Sequence, residues 1–336
     1  MISAPLPDLA ATLARQRQAA DMRDRLQTAS TELTTGRRTD LTAAAGGDPA
    51  RLFAIERARQ LALRDAEGLG VAEGRVAAAQ GALGKLQELT DTIGVPLLAA
   101  IGRGDQSAAR LLAMEADDAF RLAVLTVNER FGGRSLFAGA ALDGPAIRPA
   151  DEILAELQTV VAAAPDPVSA VAAVTDWFDA PGGGFETFAW LGDAADAPLV
   201  GLGGGETETL APRGDAAQIR AVLKGLALAA VVADPAFAAP VGTDMQLLTE
   251  AARATMNARQ DLIVLRADLG FVEQRIETGL VGAAGRRAAL ELAWNAATLR
   301  DPSEAAAEFQ ALETQLGTLY SVMARLSGLT LANFLR

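Results

Sequence analysis

The stretch "VNERFGGRSLFAGA", residues 127–140, marks the place where one kind of sequence gives way to another. An alanine-rich apolar segment precedes it, and a segment rich in glycine, proline and aspartate follows it. Gly132 and Gly133 stand together inside it, between Arg130 and Arg134. Because glycine reaches positive φ without steric cost, two in succession favour a reversal of the chain. We therefore predict that a long helix ends near Asn128 and that a turn follows.

The segment before this stretch has the periodicity of a long helix. Ten positions from Leu69 to Ala100 alternate in steps of three and four, and only one is polar: Leu69, Ala72, Val76, Ala79, Leu83, Leu86, Thr90, Ile93, Leu97 and Ala100. This is the spacing of a heptad seam. Asp48 and Pro49 are typical of a helix start, and a helix from there to Gly102 has about 50 residues, or roughly 75 Å. Pro96 is expected to kink that helix or to end it early.

The sequence after about residue 244 is helical in the same way. One apolar seam comprises Leu262, Leu265, Leu269, Val272 and Ile276, and another comprises Phe309, Leu312, Leu316, Leu319, Met323 and Leu326. Asp301 and Pro302 predict the start of the helix that carries the second seam. We therefore predict a mainly α fold, in which both chain ends form a long antiparallel helical coiled-coil rod. The second seam is a candidate packing surface for assembly.

The segment 141–243 differs in composition from both helical arms. It holds 9 of the 14 prolines, and its 14 acidic and 4 basic residues give it a net charge of −10. Alternation at 185–189 predicts a short strand and the run 216–233 predicts a helix, so we expect a small inserted α+β module. The predicted divisions are thus an N-terminal arm 1–140, the module 141–243 and a C-terminal arm 244–336. Residues 145–240 are expected to be dispensable for pairing of the arms.

Composition excludes several classes of function. The chain has no cysteine and no histidine, which excludes disulfides, thiol nucleophiles, Cys/His zinc sites and Ser-His-Asp triads. The net charge of −12 argues against a nucleic-acid partner. The glycines at 201–207 and 81–85 do not complete a dinucleotide or phosphate loop. Acidic pairs at 117–118 and 151–152 are interpreted as solvated faces. We predict no catalytic, cofactor-binding or metal-binding residues, and therefore no enzyme.

Targeting signals are also missing from the sequence. No apolar run is long enough for a transmembrane span, so membrane insertion is not expected. The start "MISAPLPDLAATLARQRQ" has neither a basic leader nor an apolar signal core. Any export is therefore expected to proceed without a cleaved signal peptide.

The opening stretch resembles a pattern of the flagellin-like hook-associated proteins, and most closely that of the hook–filament junction proteins among them. That pattern has the form N-x-R-x-G-G-R-x-L-F-A-G, matched here by Asn128, Arg130, Gly132, Gly133, Arg134, Leu136, Phe137, Ala138 and Gly139. Further resemblances follow in the family's order: "ELTTGRR" at 32–38, "GGDPA" at 46–50, "AWLGD" at 189–193, "LGFVEQRIE" at 269–277 and "RLSGLTLANFLR" at 325–336. The resemblance covers both helical arms.

This resemblance implies that Gly132 and Gly133 close a short hairpin at the end of the helices, and that Phe137 packs on the helix ends. It implies an extracellular structural protein of the bacterial flagellum, exported by the flagellar type III apparatus, that self-assembles between hook and filament. The implied partners are copies of itself, a neighbouring hook-associated protein, flagellin and an export chaperone. A filament flagellin is the alternative, followed by a cytoplasmic coiled-coil adaptor.

Overall fold

The computed structural model describes residues 6–44, 48–197, 200–203, 206–234, 237 and 239–334. In this part of the chain, helices predominate and the strands form two small antiparallel hairpins. The mainly α prediction is thereby confirmed. In chain order the elements are α1 (Leu6–Thr35), α2 (Leu41–Ala44), α3 (Pro49–Gly102), α4 (Gln106–Val127), β1 (Arg130–Phe131), β2 (Arg134–Ser135), α5 (Ala150–Ala162), α6 (Pro167–Asp179), a π-helical turn (Phe185–Ala189), β3 (Val200–Gly203), β4 (Glu206–Glu208), α7 (Ala217–Ala233), α8 (Thr243–Thr298) and α9 (Pro302–Phe334).

The chain divides into two compact units. The terminal unit comprises Met1–Leu63 and Gly285–Arg336, and the central unit comprises Arg64–Ala284. These divisions differ from the sequence-based ones at 140 and 243, which concern an inserted module and stay a prediction. The elements of residues 141–243 lie in the central unit together with α4 and parts of α3 and α8.

In the terminal unit, α1 and α9 pack against each other in antiparallel orientation. Near the end of α1, the carbonyl of Gly36 accepts a hydrogen bond from the backbone N–H of Arg300 at 3.0 Å, just before α9 begins. Further back along α1, Arg23 donates to the hydroxyl of Tyr320 at 2.5 Å. A residue that precedes Gly36 in α1 thus contacts a residue that follows Arg300 in α9, as antiparallel packing requires. Leu312 is buried in this unit.

In the central unit, α3 and α8 also run antiparallel. Arg259 forms an ion pair with Asp91, and Arg266, further along α8, donates to Gln87 at 2.6 Å and Gln80 at 3.3 Å, further back along α3. Antiparallel pairing of long helices from the two arms is therefore present within each unit.

The predicted seam of α3 is the inner face of the central unit. All ten of its positions are at most 1% exposed. Each fully buried leucine or isoleucine contributes roughly 1.5–3 kcal/mol of transfer free energy. The one polar member, Thr90, satisfies its hydroxyl by donating to the carbonyl of Gln87 at 2.7 Å. This burial explains why α3 continues through Pro96 to Gly102, contrary to the expected early end. The buried residues Ile93 and Leu97 hold the helix on both sides of the proline.

Helix starts follow the predicted capping residues. Asp48 accepts from the backbone N–H of Ala50 at 3.0 Å, where α3 begins. Where α9 begins, the carboxylate of Asp301 accepts two hydrogen bonds from Ser303, one from its backbone N–H at 2.8 Å and one from its hydroxyl at 2.5 Å. These hydrogen bonds stabilise the carboxylate and lower the pKa of Asp301. The sequence signals for both helices are therefore confirmed.

The predicted strand at 185–189 is wrong, because these residues form the π-helical turn. Phe185 and Ala189 are buried on its inner side, next to Trp177 and Phe178. The ring centroids of Phe185 and Trp177 are 6.4 Å apart in an edge-to-face arrangement. Aromatic packing of this kind outweighs the alternating pattern, which five residues specify only weakly.

Residues 145–240 contribute helices that pack on the helical core, and whether the arms pair without this segment stays a prediction. α7 packs against α4, and ten of its residues are buried. Gly225 of α7 approaches Thr255 of α8 so closely that an added Cβ would lie 2.7 Å from its Oγ1 and 2.9 Å from its backbone nitrogen. On the other side, a Cβ at Gly94 of α3 would lie 3.1 Å from the methyl carbon of Thr255. α3, α7 and α8 thus meet around one threonine.

This crossing predicts the effect of replacing Gly225 by alanine. The new methyl group meets backbone atoms that cannot move freely, so Gly225→Ala should lower the free energy of unfolding by about 1–3 kcal/mol. Gly81→Ala is the matched control, since nothing lies within 4 Å of its added Cβ. Because alanine has a higher helix propensity than glycine, Gly81→Ala should instead raise the free energy of unfolding by up to about 1 kcal/mol. Urea denaturation followed by circular dichroism measures both, and equal effects would contradict the close crossing.

Candidate functional site: the double-glycine hairpin

The family-like stretch begins where α4 ends. The backbone N–H of Asn128 donates to the carbonyls of Val124 and Leu125, both at 3.1 Å, which closes the last turn of α4. β1 and β2 then pair as a hairpin, with Phe131 opposite Arg134. The two residues between the strands are Gly132 at φ +57° and Gly133 at φ +79°. Positive φ at both positions is the requirement of a type I′ turn. The hairpin implied by the resemblance is present.

The side chain of Asn128 joins this helix end to a distant loop. Its Oδ1 accepts hydrogen bonds from the backbone N–H groups of Ala146 at 2.7 Å and Ile147 at 3.0 Å. Its Nδ2 donates to the carbonyl of Ile147 at 3.0 Å. One amide therefore satisfies three backbone groups next to buried side chains. An ionised carboxylate can only accept hydrogen bonds and an ammonium group can only donate them. The amide of asparagine does both, so asparagine fits this position.

After the hairpin, Leu136 to Gly139 pass through the interior. Phe137 is fully buried, and its carbonyl accepts from the N–H of Gly214 at 2.7 Å. The carbonyl of Ala138 accepts from the N–H of Asp193 at 3.0 Å. Gly139 has φ +62°, and a Cβ there would lie 2.5 Å from the carbonyl oxygen of Ala195. Residues 136–139 therefore hold two loops together, and the side chain of Phe137 belongs to the hydrophobic core rather than to a ligand site.

α3 supports the hairpin from one side. A Cβ at Gly74 would lie 2.7 Å from Cζ of Phe131, so the glycine makes room for the ring. The guanidinium of Arg75 donates to the carbonyls of Ser135 at 2.7 Å and Leu136 at 3.2 Å. Burial and the nearby charge of Arg134 lower the pKa of Arg75. Sequence reasoning did not identify these α3 residues. The available signal for a contact here was a glycine next to an arginine at the edge of the apolar seam.

The second predicted site, the α9 seam, belongs to the terminal unit. Leu312 is buried, at 4% exposure, and Phe309, Leu316, Leu319 and Met323 are partly buried. The side chain of Leu326 lies outside the described residues. The seam and the hairpin thus belong to different units. No finding tests an assembly role for either, and that role stays a prediction.

A clasp between two turns of the terminal unit was not foreseen from the sequence. Arg37 and Leu299 form an isolated antiparallel bridge, and the N–H of Arg38 donates to the carbonyl of Thr298 at 2.8 Å. Gly36, at φ +66°, allows the chain to turn there. The family-like "ELTTGRR" segment is therefore the N-terminal half of a clasp whose other half lies more than 250 positions later. Such a long-range pairing leaves no local signature.

Three of the four acidic residues at 117–118 and 151–152 form ion pairs, while the side chains of Asp151 and Glu152 stay 79% and 48% exposed, in agreement with their interpretation as solvated faces. Asp117 and Asp151 both form ion pairs with Arg121, and these carboxylates raise its pKa. Glu152 forms an ion pair with Arg148 at 2.9 Å. Among the described residues, no three His, Cys, Asp or Glu side chains are grouped so that they could hold a metal ion. None of the described helices is both long and apolar enough to cross a membrane.

Asn128→Ala should destabilise the central unit. The substitution leaves the N–H groups of Ala146 and Ile147 without an acceptor, at a cost of about 1–3 kcal/mol for each group that stays buried and unpaired. Asn257→Ala is the control, because Asn257 is exposed on α8. The free energy of unfolding from urea titration should fall only for Asn128→Ala. Equal stability of the two variants would show that the amide is not needed.

Valine at Gly132 or Gly133 should strain the turn. No atom lies within 4 Å of a Cβ at either position, so the cost is purely conformational, on the order of 1–3 kcal/mol. Gly144→Val is the control, since its added Cβ is equally free and its φ is not positive. Thermal and urea unfolding of the three variants measure the difference. If Gly144→Val proved as costly, positive φ would not be the reason.

No protein-family model matches the sequence, and no curated protein matches it. One solved structure that resembles the chain is that of a Vibrio parahaemolyticus protein provisionally identified as a flagellar hook-associated protein. The match has a TM-score of 0.48 and 10% sequence identity, and it covers 74% of this chain and 98% of that chain. A likeness this weak establishes neither a shared fold nor a shared function.

Proposed function

We propose that the protein is a non-enzymatic structural component of the bacterial flagellum, which assembles between hook and filament. It is exported to the outside of the cell through the flagellar type III apparatus without a cleaved signal peptide. Its partners are copies of itself, a neighbouring hook-associated protein and flagellin, with an export chaperone before secretion.

The observation that carries the proposal is the use of the family-like stretch at 128–139. Asn128 satisfies three backbone groups, Gly132 and Gly133 supply two positive φ angles, and Gly139 allows a carbonyl within 2.5 Å of where its Cβ would lie. Each of these four residues occupies a position that its chemistry or backbone freedom suits. This supports the resemblance as more than a match of letters.

The clasp of the terminal unit adds separate support. The family-like "ELTTGRR" segment contributes Gly36, whose carbonyl accepts from Arg300, and Glu32, whose carboxylate lies 3.7 Å from the Arg300 guanidinium. The helices on both sides of this clasp, α1 and α9, come from opposite ends of the sequence. Pairing of the two arms is what the helical patterns at both ends of the sequence predict.

Charge is consistent with self-assembly. Residues 141–243 carry −10 of the total of −12, so the two arms together are close to neutral. Near-neutral helices with mixed signs can pack against copies of themselves without strong repulsion. The acidic segment favours solubility of the exposed parts.

Immunolabelling of isolated flagella tests the proposal together with a chain truncated after Arg300. The full chain should label a band at the hook–filament boundary. The truncated chain lacks α9, the packing partner of α1. It should reach the culture medium but be absent from flagella, because a helix without tertiary packing is only marginally stable.

Several outcomes would contradict the proposal. Label along the whole filament would identify a filament flagellin. A soluble dimer retained in the cytoplasm would identify a coiled-coil adaptor. Normal incorporation of the truncated chain would show that the arms need not pair.

A further inference from the structure

A hollow of about 430 Å³ lies beside the hairpin in the central unit. α3 forms one wall and the hairpin another, and residues near the β3–β4 hairpin complete it. Its lining includes Val71, Ala72, Arg75, Phe131, Arg134 and Leu142. A volume of this size accommodates a few side chains or a small ligand.

The hollow offers apolar surface to solvent. Val71 is 63% exposed on its wall, and Phe131 and Leu142 are partly exposed. Ala72 and Leu210 are buried beneath them. Exposed apolar groups arranged around a concavity gain free energy when another apolar group covers them.

Among the described residues that line the hollow there are two arginines and no carboxylate. Arg134 is exposed, and within the described part of the chain it makes neither an ion pair nor a side-chain hydrogen bond. Arg75 donates only to the two hairpin carbonyls. Burial is the main cause of the lowered pKa of Arg75, and repulsion by the nearby positive charge of Arg134 adds to it. A negative group placed between them would relieve this repulsion.

Other cations of the central unit have carboxylate partners. Arg213 pairs with Asp215 at 2.8 Å, and Lys224 pairs with Asp179. Arg75 and Arg134 therefore remain as a pair of charges that internal groups do not neutralise in the described structure. A carboxylate is the chemical complement of two guanidiniums.

We propose that this hollow binds an acidic segment of a second copy of the chain. A carboxylate of that segment lies between the guanidiniums of Arg75 and Arg134, and an apolar neighbour covers Val71 and Phe131. The inference rests on the proposed function, which requires contacts between copies. Charge complementarity selects the occupant: residues 141–243 carry a net charge of −10, so this segment of another copy offers an excess of carboxylates. Glu156 and Asp176 are examples of exposed carboxylates that form no ion pair among the described residues.

The test is sedimentation equilibrium of the full chain at low and high ionic strength. The wild type should self-associate, and salt should weaken the association because it screens charges at the rim. Arg134→Glu should weaken it about tenfold, the effect of losing roughly one charge-assisted hydrogen bond. Arg134→Lys should retain most of the association. Arg253→Glu is the matched control, with the same change of charge at an exposed position of α8.

Circular dichroism establishes that each variant is folded, and titration with inorganic phosphate tests for simple anion binding. Absence of self-association in the wild type would overturn the proposal, as would equal effects of Arg134→Glu and Arg253→Glu. Phosphate binding that depends on Arg134 without any association of copies would overturn the second copy as occupant. A wild-type label at the hook–filament boundary, combined with unchanged association of Arg134→Glu, would leave the proposed function intact and reject this inference alone.

Discussion

Close packing around the α3 seam is the constraint on which the central unit depends. Small residues along this face let neighbouring helices approach until almost no side chain separates their backbones, as at Gly94, Thr255 and Gly225. Protein interiors tolerate little change in volume, so such a contact fixes the register of each helix that takes part. The end of α4 is fixed in turn, and with it the position of Asn128 and of the hairpin that follows. Precision at the hairpin is therefore a consequence of helix packing rather than of the turn alone.

Local signals in the sequence predicted the parts of the fold that are determined locally. The α3 seam, the caps at Asp48 and Asp301, and the turn at Gly132 and Gly133 each depend on residues within a few positions of one another. The errors concern features set by distant residues. α7 is apolar on most of its surface, and nothing in its own sequence reveals that α4 and α8 cover it. The alternation at 185–189 was overridden by aromatic neighbours that a short window does not include.

The candidate site likewise contains features that local sequence predicts and features that depend on distant residues. Glycines with positive φ were predictable because only one residue type suits them well. The role of Asn128 was not, since its partners at 146 and 147 follow after an intervening hairpin. Arg75 precedes its partners by about sixty positions and looks like any charged residue beside a helical seam. Sequence reasoning therefore found the turn but not the groups that hold it in place.

The composition of the terminal unit has a consequence for the order of folding. Its two parts, Met1–Leu63 and Gly285–Arg336, are separated by the whole central unit. Bringing such distant segments together has an entropic cost of loop closure, and contacts of high sequence separation form slowly. Folding of the central unit first would shorten the effective loop and make that closure easier. α1 cannot bury its packing face until α9 is available, so the terminal unit can become native only when both of its parts are present. During that interval the face of α1 that α9 covers in the folded protein remains exposed to solvent.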